Sequence, residues 1–479
     1  MNRIKVIKSL FYKFIERFAV KGIGLILSIL LARMLAPSAF GEIAILLVFV
    51  DLSLTLIDGG LNTALVQSKE VSESDYSTVF YITLALSCVM ILLLQLFAPL
   101  IARFYESPEI VAPLRFYAFS LLFSSFNSIQ VARMQREMRF KEMMFCNLAA
   151  TVLSGTLGVI LAYKGAGLWA LVIYYFAQVF ITSFALLFVL RWFPQSPFSK
   201  DSAKRLYSFG IKMLAASLIT TLYNDIRPLI IGKKFSTADL GYYDRGQRFS
   251  STISLNLDVA VQSVMFPVLS QVQDDKAQFA SMLRRTKQLG AFVIFPAMLG
   301  MAAVAEPMVR LLLTAKWLPC VSFVVILCIA EAQVPLTSSN LVAVKALGRS
   351  DIYAKQEIIR RVLMLIVLAV SVLAFDSVVA IAVGFLISAW LDAFVTSLSV
   401  KDLLGYSFFD QMKDVWKSAL TSVLMAGAVY ALGLLHLPLL PGLILQVAGG
   451  CLVYITFNLA IKNESLLYIL NLLKGRKAA

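Results

Sequence analysis

The chain has 479 residues, of which 59% are hydrophobic and only 15% charged, against about 45–50% and about 25% in soluble domains. With a mean hydropathy of +0.82, this excludes a soluble globular protein. The apolar runs also exceed the strands of about 10 residues that build a membrane barrel. The formal net charge of +15 fits Lys and Arg gathered in the loops of one membrane face better than a nucleic-acid surface.

The chain opens MNRIKVIKSLFYKFIERF, basic and then apolar. Glu16, Arg17 and Lys21 interrupt the apolar run and no small-residue cleavage site follows, so it reads as the lead into a retained first span rather than a signal peptide. In order, the expected spans are 15–35, 40–61, 77–100, 111–132, 143–163, 168–190, 208–231, 241–269, 287–313, 319–344, 357–375, 378–400, 415–435 and 440–461. The fold class is therefore all-α: a polytopic membrane protein with about 14 transmembrane helices. The eighth span has the weakest hydropathy, because its first half reads YYDRGQRFSSTISLN.

Most of the 43 Lys and Arg fall on one side of this arrangement. They include Arg133, Arg136, Arg139 and Lys141 in one loop and Arg284, Arg285 and Lys287 in another. That bias places both termini in the cytoplasm.

A faint repeat divides the chain. A shift of 200 residues lays LARMLAPSAFGEI over the segment IGKKFSTADLGYYD, with Gly41 on Gly241, Asp58 on Asp258 and Arg33 on Lys233. APLIARF then resembles AEPMVRL, and ARMQREMRFKE at 132–142 resembles VKALGRSDIYAK at 344–355. The expected organisation is two parallel six-helix repeats, 1–200 and 201–404, followed by two C-terminal helices and a basic tail over 405–479.

Charge near or inside apolar spans is costly unless it faces water, a partner or a ligand. Arg17 and Lys21 share a face near one end of the first span, and Arg227, Arg245 and Arg248 flank the turn between the seventh and eighth. They either line a site for an anionic head group or snorkel and pair locally, Arg248 with Asp244. Asp51, Asp225, Glu331 and Asp392 are candidate coupling groups or counter-ions. Tyr223, Tyr242, Tyr243 and Trp390 could stack on sugars or simply pack. Gly22 with Gly24, Gly155 with Gly158 and Gly449 with Gly450 suggest close helix approach. The five cysteines are scattered without metal spacing, and the sole histidine, His436, makes histidine-based catalysis improbable.

Four segments in order now carry a resemblance: LARMLAPSAFGEIAI after the first span, IDGGLNTALVQSKE after the second, MQREMRFKE after the fourth, and VMFPVLSQVQDD before the ninth. Together they resemble the polysaccharide transporter family, in type the Wzx-like exporters of colanic acid and related exopolysaccharides. That family belongs to the superfamily that also holds MurJ and the MATE drug exporters. The resemblance implies two six-helix lobes around a cationic central cavity in the bacterial inner membrane. It implies alternating-access translocation of an undecaprenyl-pyrophosphate-linked oligosaccharide, with Arg17, Lys21, Arg227, Arg245 and Arg248 placed to meet the pyrophosphate. The expected partners are that lipid-linked substrate, a polysaccharide polymerase with chain-length machinery, and membrane lipids. No cofactor, metal or nucleic acid is expected. The rival readings are a cation-coupled drug exporter, a murein-precursor flippase and, as an enzyme, a membrane polymerase or glycosyltransferase.

Overall fold

A computed structural model describes residues 3–435 and 437–473, which leaves His436 outside the described residues together with the side chain of Arg17. The described backbone is helical throughout, with no strand among the described residues. Two units make up the chain, Met1–Gly241 and Tyr242–Ala479.

The first unit begins with α1 (Arg3–Met34), α2 (Pro37–Asp58), the short α3 (Leu61–Gln67) and α4 (Glu73–Phe104). After a 3-10 turn at Pro108–Ile110 come α5 (Val111–Ala118), α6 (Ser120–Arg136), α7 (Phe140–Tyr163), α8 (Leu168–Leu190) and α9 (Lys200–Lys234). Helix α10 (Thr237–Gln271) holds the boundary between the units. The second unit continues with α11 (Lys276–Ala303), α12 (Ala305–Leu313), a 3-10 turn at Ala315–Trp317, α13 (Cys320–Glu331) and α14 (Val334–Ala346). It ends with α15 (Ser350–Ala374), α16 (Val378–Leu404), α17 (Phe408–Gly433), α18 (Leu439–Ala460) and α19 (Glu464–Leu473).

The helix ends follow local chemistry. Ser72 and Asp75 form a reciprocal capping box at the start of α4, and Ser407 and Asp410 repeat it at α17. Asp275 caps α11 by accepting from the amides of Ala277 and Gln278. Gly59 and Gly60, at φ +52° and +71°, end α2 in the left-handed region that a side chain would strain.

Each expected span coincides with a helix or a broken pair of helices. Among the described residues, ten helices are long and apolar enough to cross a membrane, or eleven if the bent pair Lys200–Tyr207 and Gly210–Lys234 is one span. Length and apolarity therefore do not establish fourteen.

Within the first unit α1 packs on α7, α7 on α8, and α2 on α9. The α2–α9 pair is antiparallel. Ile45 touches the Cβ position of Gly232, Thr55 and Thr221 share a hydroxyl hydrogen bond of 3.0 Å, and Gly60 abuts Gly210. A separate core lies under the α3–α4 end, built on Leu61, Phe80 and Trp192. Beside it the buried Asp75 takes an ion pair from Arg205 at 2.5 Å.

Within the second unit α11 packs on α17, α17 on α18, and α15 on α16. Phe279, Leu283, Val342 and Tyr406 anchor one core there.

One turn has the same geometry in both units. Met138 and Gly348 both take positive φ, 58° and 70°. The next residues, Arg139 and Arg349, donate backbone N–H groups to Met134 and Val344 at 2.9 and 3.2 Å. The same turn therefore recurs, but it pairs Met138 with Gly348, a register two residues away from laying Ala132 on Val344.

The glycine expectation holds in part. A Cβ at Gly155 would strike Leu27 of α1, one at Gly158 Tyr174, one at Gly449 Leu432 and one at Gly450 Val429. Gly22 and Gly24 have nothing within 4 Å of a Cβ position among the described residues, so they mark no close helix contact.

Candidate functional site

The first unit holds Arg227 near the C-terminal end of α9. It is only 4% exposed, and its guanidinium lies 5.6 Å from the centre of the Tyr223 ring. Residue 228 is a proline inside the helix. Because proline has no N–H, it leaves the Asn224 carbonyl without its helical donor, one turn before the arginine's own neighbourhood. Lys21, on α1, is exposed.

In the second unit Arg245 is 5% exposed and sits 5.9 Å from the Trp317 ring. Its surroundings are aromatic. Tyr242 meets Trp317 edge-on and its hydroxyl donates to the Lys316 carbonyl at 3.3 Å, while Tyr243 meets Phe323 edge-on. A Cβ at Gly246 would come within 2.6 Å of the Phe323 Cβ, so glycine lets α10 lie against α13 and fixes where Arg245 stands. Burial on the 3-10 turn holds the Lys316 ammonium below the usual lysine range. Arg248 is different: its side chain is half-exposed and pairs with Asp244 one turn back at 2.7 Å.

The carboxylates separate by environment. Asp51 on α2 and Asp225 on α9 stand close enough to repel each other, one turn from the Thr55–Thr221 hydrogen bond. Tyr117 lies within range of the same Asp51 charge. Glu331 accepts from the Ser254 hydroxyl at 2.7 Å. Asp392 is the counter-ion of Arg360 at 2.8 Å, each side chain 15% exposed, and Arg360 also reaches Glu357. Of the aromatic candidates, Tyr242 and Tyr243 are engaged in packing. Trp390 donates to the Ile329 carbonyl and lines an apolar hollow with Leu386 and Ile387. Tyr223 is set against a candidate cation, Arg227.

One cation lay outside the sequence-based candidates. Lys287 is fully buried, donates to the Asn340 side-chain oxygen and lies 4.6 Å from the Tyr406 ring. Asn340 in turn donates to Thr396 and Gln411 at 3.2 and 3.1 Å. The sequence places this lysine in a loop with Arg284 and Arg285. The Asp275 cap starts α11 well before it, and the helix carries Lys287 into the protein.

A family model described as polysaccharide biosynthesis protein matches residues 30–322, more than half of the chain. The chain belongs to that polysaccharide biosynthesis protein family. Relatives within reach of sequence comparison are named for the same business. The succinoglycan biosynthesis transport protein ExoT of Rhizobium meliloti (strain 1021) is 24% identical, over 76% of this chain and 73% of its own. The lipopolysaccharide biosynthesis protein WzxC of Escherichia coli (strain K12) is 22% identical, over 90% and 88%. The teichuronic acid biosynthesis protein TuaB of Bacillus subtilis (strain 168) is 25% identical, over 84% of each chain. In fold, this family member matches the lipid II flippase MurJ in its inward closed conformation. The TM-score is 0.75 at 15% identity, covering 94% of this chain and 98% of that one. An inward-facing MATE multidrug transporter follows with a TM-score of 0.62 at 14% identity, over 83% and 98%. These likenesses show a shared all-helical fold, and the polysaccharide biosynthesis protein is a multi-pass membrane protein.

Proposed function

We propose that the chain moves undecaprenyl-pyrophosphate-linked oligosaccharide repeat units from the inner to the outer leaflet of the bacterial inner membrane by alternating access, for surface-polysaccharide assembly. The observation that carries this reading is the agreement among relatives. Three of them, aligned over most of their length, are named for building or transporting three different surface polysaccharides. The fold shared with a lipid II flippase supports it.

The physical task fits the residues. A pyrophosphate and a hydroxyl-rich glycan cannot enter hydrocarbon without replacement for lost hydration. Guanidinium groups supply that replacement through charge-assisted hydrogen bonds. On this reading Arg227 and Arg245, the two buried arginines among the candidates, contact the phosphates. Lys21 and Arg17 serve the approach, and Arg248 is secondary because Asp244 already engages it. Asp51 with Asp225, and Glu331, are the groups assigned to coupling. Asp392 is assigned to the Arg360 ion pair. Both termini face the cytoplasm, and a polymerase with its chain-length machinery receives the product.

Deleting the gene in its host should leave lipid-linked repeat units accumulating on the cytoplasmic leaflet with their glycan length unchanged. Accumulation of truncated glycans instead would point to an enzyme that extends the chain and would remove this reading.

A further inference from the structure

Away from the candidate transport residues, the second unit holds a cleft of about 590 Å³ between the first turns of α17, the first half of α11 and α19. That volume lies within the range of about 300–1,000 Å³ typical of small-ligand sites. Four cations line it: Arg284 and Arg285 from α11, and Lys413 and Lys417 from α17.

The acids in the cleft are largely committed elsewhere. Asp410 is held in the Ser407 capping box. Asp414 accepts from the Tyr406 hydroxyl at 2.6 Å and meets Arg284 at 3.6 Å. Glu464 is exposed in the first turn of α19. Among the described residues no carboxylate lies within 4 Å of Arg285, Lys413 or Lys417. The Arg285 guanidinium carbon lies 3.7 Å from the centre of the Tyr468 ring, a cation–π contact.

The surroundings are those of a membrane interface. Helices α11 and α17 are both long and apolar enough to span, and the cleft takes in the polar first half of one and the start of the other. Helix α19 follows α18, another such span, and lays Leu466, Ile469 and Leu470 into an apolar cluster while Ser465 and Tyr468 face the cleft. Trp416 lines the cleft and is 48% exposed, as tryptophan is at headgroup depth. Basic pockets between spans at that depth are suited to anionic headgroups.

We propose that this cleft holds the phosphate headgroup of an anionic phospholipid, a site separate from the transported substrate's. Arg285 and Lys417 carry the recognition, Lys413 adds charge, and Trp416 sits among the glycerol and upper acyl segments.

The test uses the full-length protein in nanodiscs of phosphatidylcholine alone or mixed with phosphatidylglycerol. Phosphatidylglycerol is expected to raise the thermal midpoint. It should also slow acetylation of Lys413 and Lys417 relative to Lys276, a comparison that needs no variant. Arg285→Gln with Lys417→Gln should weaken phosphatidylglycerol retention in native mass spectrometry by about tenfold or more. Lys204→Gln with Lys276→Gln removes the same charge and should leave it unchanged. Equal retention by both pairs, or unaltered acetylation, would overturn the site. Protection by inorganic phosphate in pure phosphatidylcholine discs as strong as by phosphatidylglycerol would overturn the lipid assignment.

Discussion

Gly41 and Gly241 meet each other's helix starts reciprocally. A Cβ on Gly41 would lie 1.7 Å from the Thr237 carbonyl oxygen, and one on Gly241 would lie 2.1 Å from that of Pro37. Each glycine thus faces the first turn of the helix that carries the other, α2 or α10. The sequence repeat sets these two residues on one another, and the backbone puts them together. Only glycine fits, because the obstructing atoms are backbone that cannot swing away.

Gly41→Ala or Gly241→Ala should therefore destabilise the protein by about 1–3 kcal/mol or more, the range for overpacking. Gly24→Ala, where a Cβ meets nothing within 4 Å, should be neutral or gain up to about 1 kcal/mol of helix propensity. Thermal unfolding followed by size-exclusion fluorescence distinguishes the two cases. A Gly41→Ala midpoint equal to that of Gly24→Ala would refute the crossing.

The carboxylates of Asp51 and Asp225 lie near enough for their negative charges to repel. Asp225→Asn should remove that repulsion and raise the thermal midpoint by about 1–2 °C. If the pair serves coupling, the same variant should lose the dependence of transport on a proton or sodium gradient. A lowered midpoint would show that the two charges are already balanced by another group.

Arg360 and Asp392 form a largely buried pair with Glu357 alongside. Removing one partner of such a pair leaves a charge short of compensation, which costs up to about 3–5 kcal/mol when burial is complete and less here. Arg360→Met and Asp392→Asn should each reduce yield and midpoint, and the double variant should lose less than the sum. Additive losses would mean that the two do not act as a pair.

Lys287 ties α11 to Asn340, Thr396 and Gln411. Lys287→Ala should cost about 2–3 kcal/mol, from a lost hydrogen bond to a buried oxygen and the space left beside Tyr406. The thermal midpoint checks this. An unchanged value would place the lysine outside the packed core.

Much of the fold was readable because apolar run length is a local property. Every expected span falls on a helix, and the ends sit where Ser72, Asp275 and Ser407 can cap. The hidden part is long-range. Nothing near Lys287 in sequence announces Tyr406 or Gln411, so its charge reads as a loop charge. Asp392 reads as a lone acid until Arg360, on a different helix, is set against it. Gly22 and Gly24 have the composition of a contact but no close neighbour among the described residues, since only packing tells which glycines face one. Among the cationic candidates, sequence could not separate Arg245 from Arg248, three residues apart. Burial separates them, because one is covered by α13 and its Trp317 neighbour while the other pairs with Asp244.

The most direct test is flipping in proteoliposomes containing only this protein and a fluorescent undecaprenyl-pyrophosphate oligosaccharide. The account predicts that the wild type moves the lipid between leaflets without changing its glycan. It predicts that Arg227→Gln with Arg245→Gln, at equal incorporation, is slower by about tenfold or more, as expected for losing charge-assisted hydrogen bonds to phosphate. No movement by the wild type, or wild-type rates in the double variant, would contradict it.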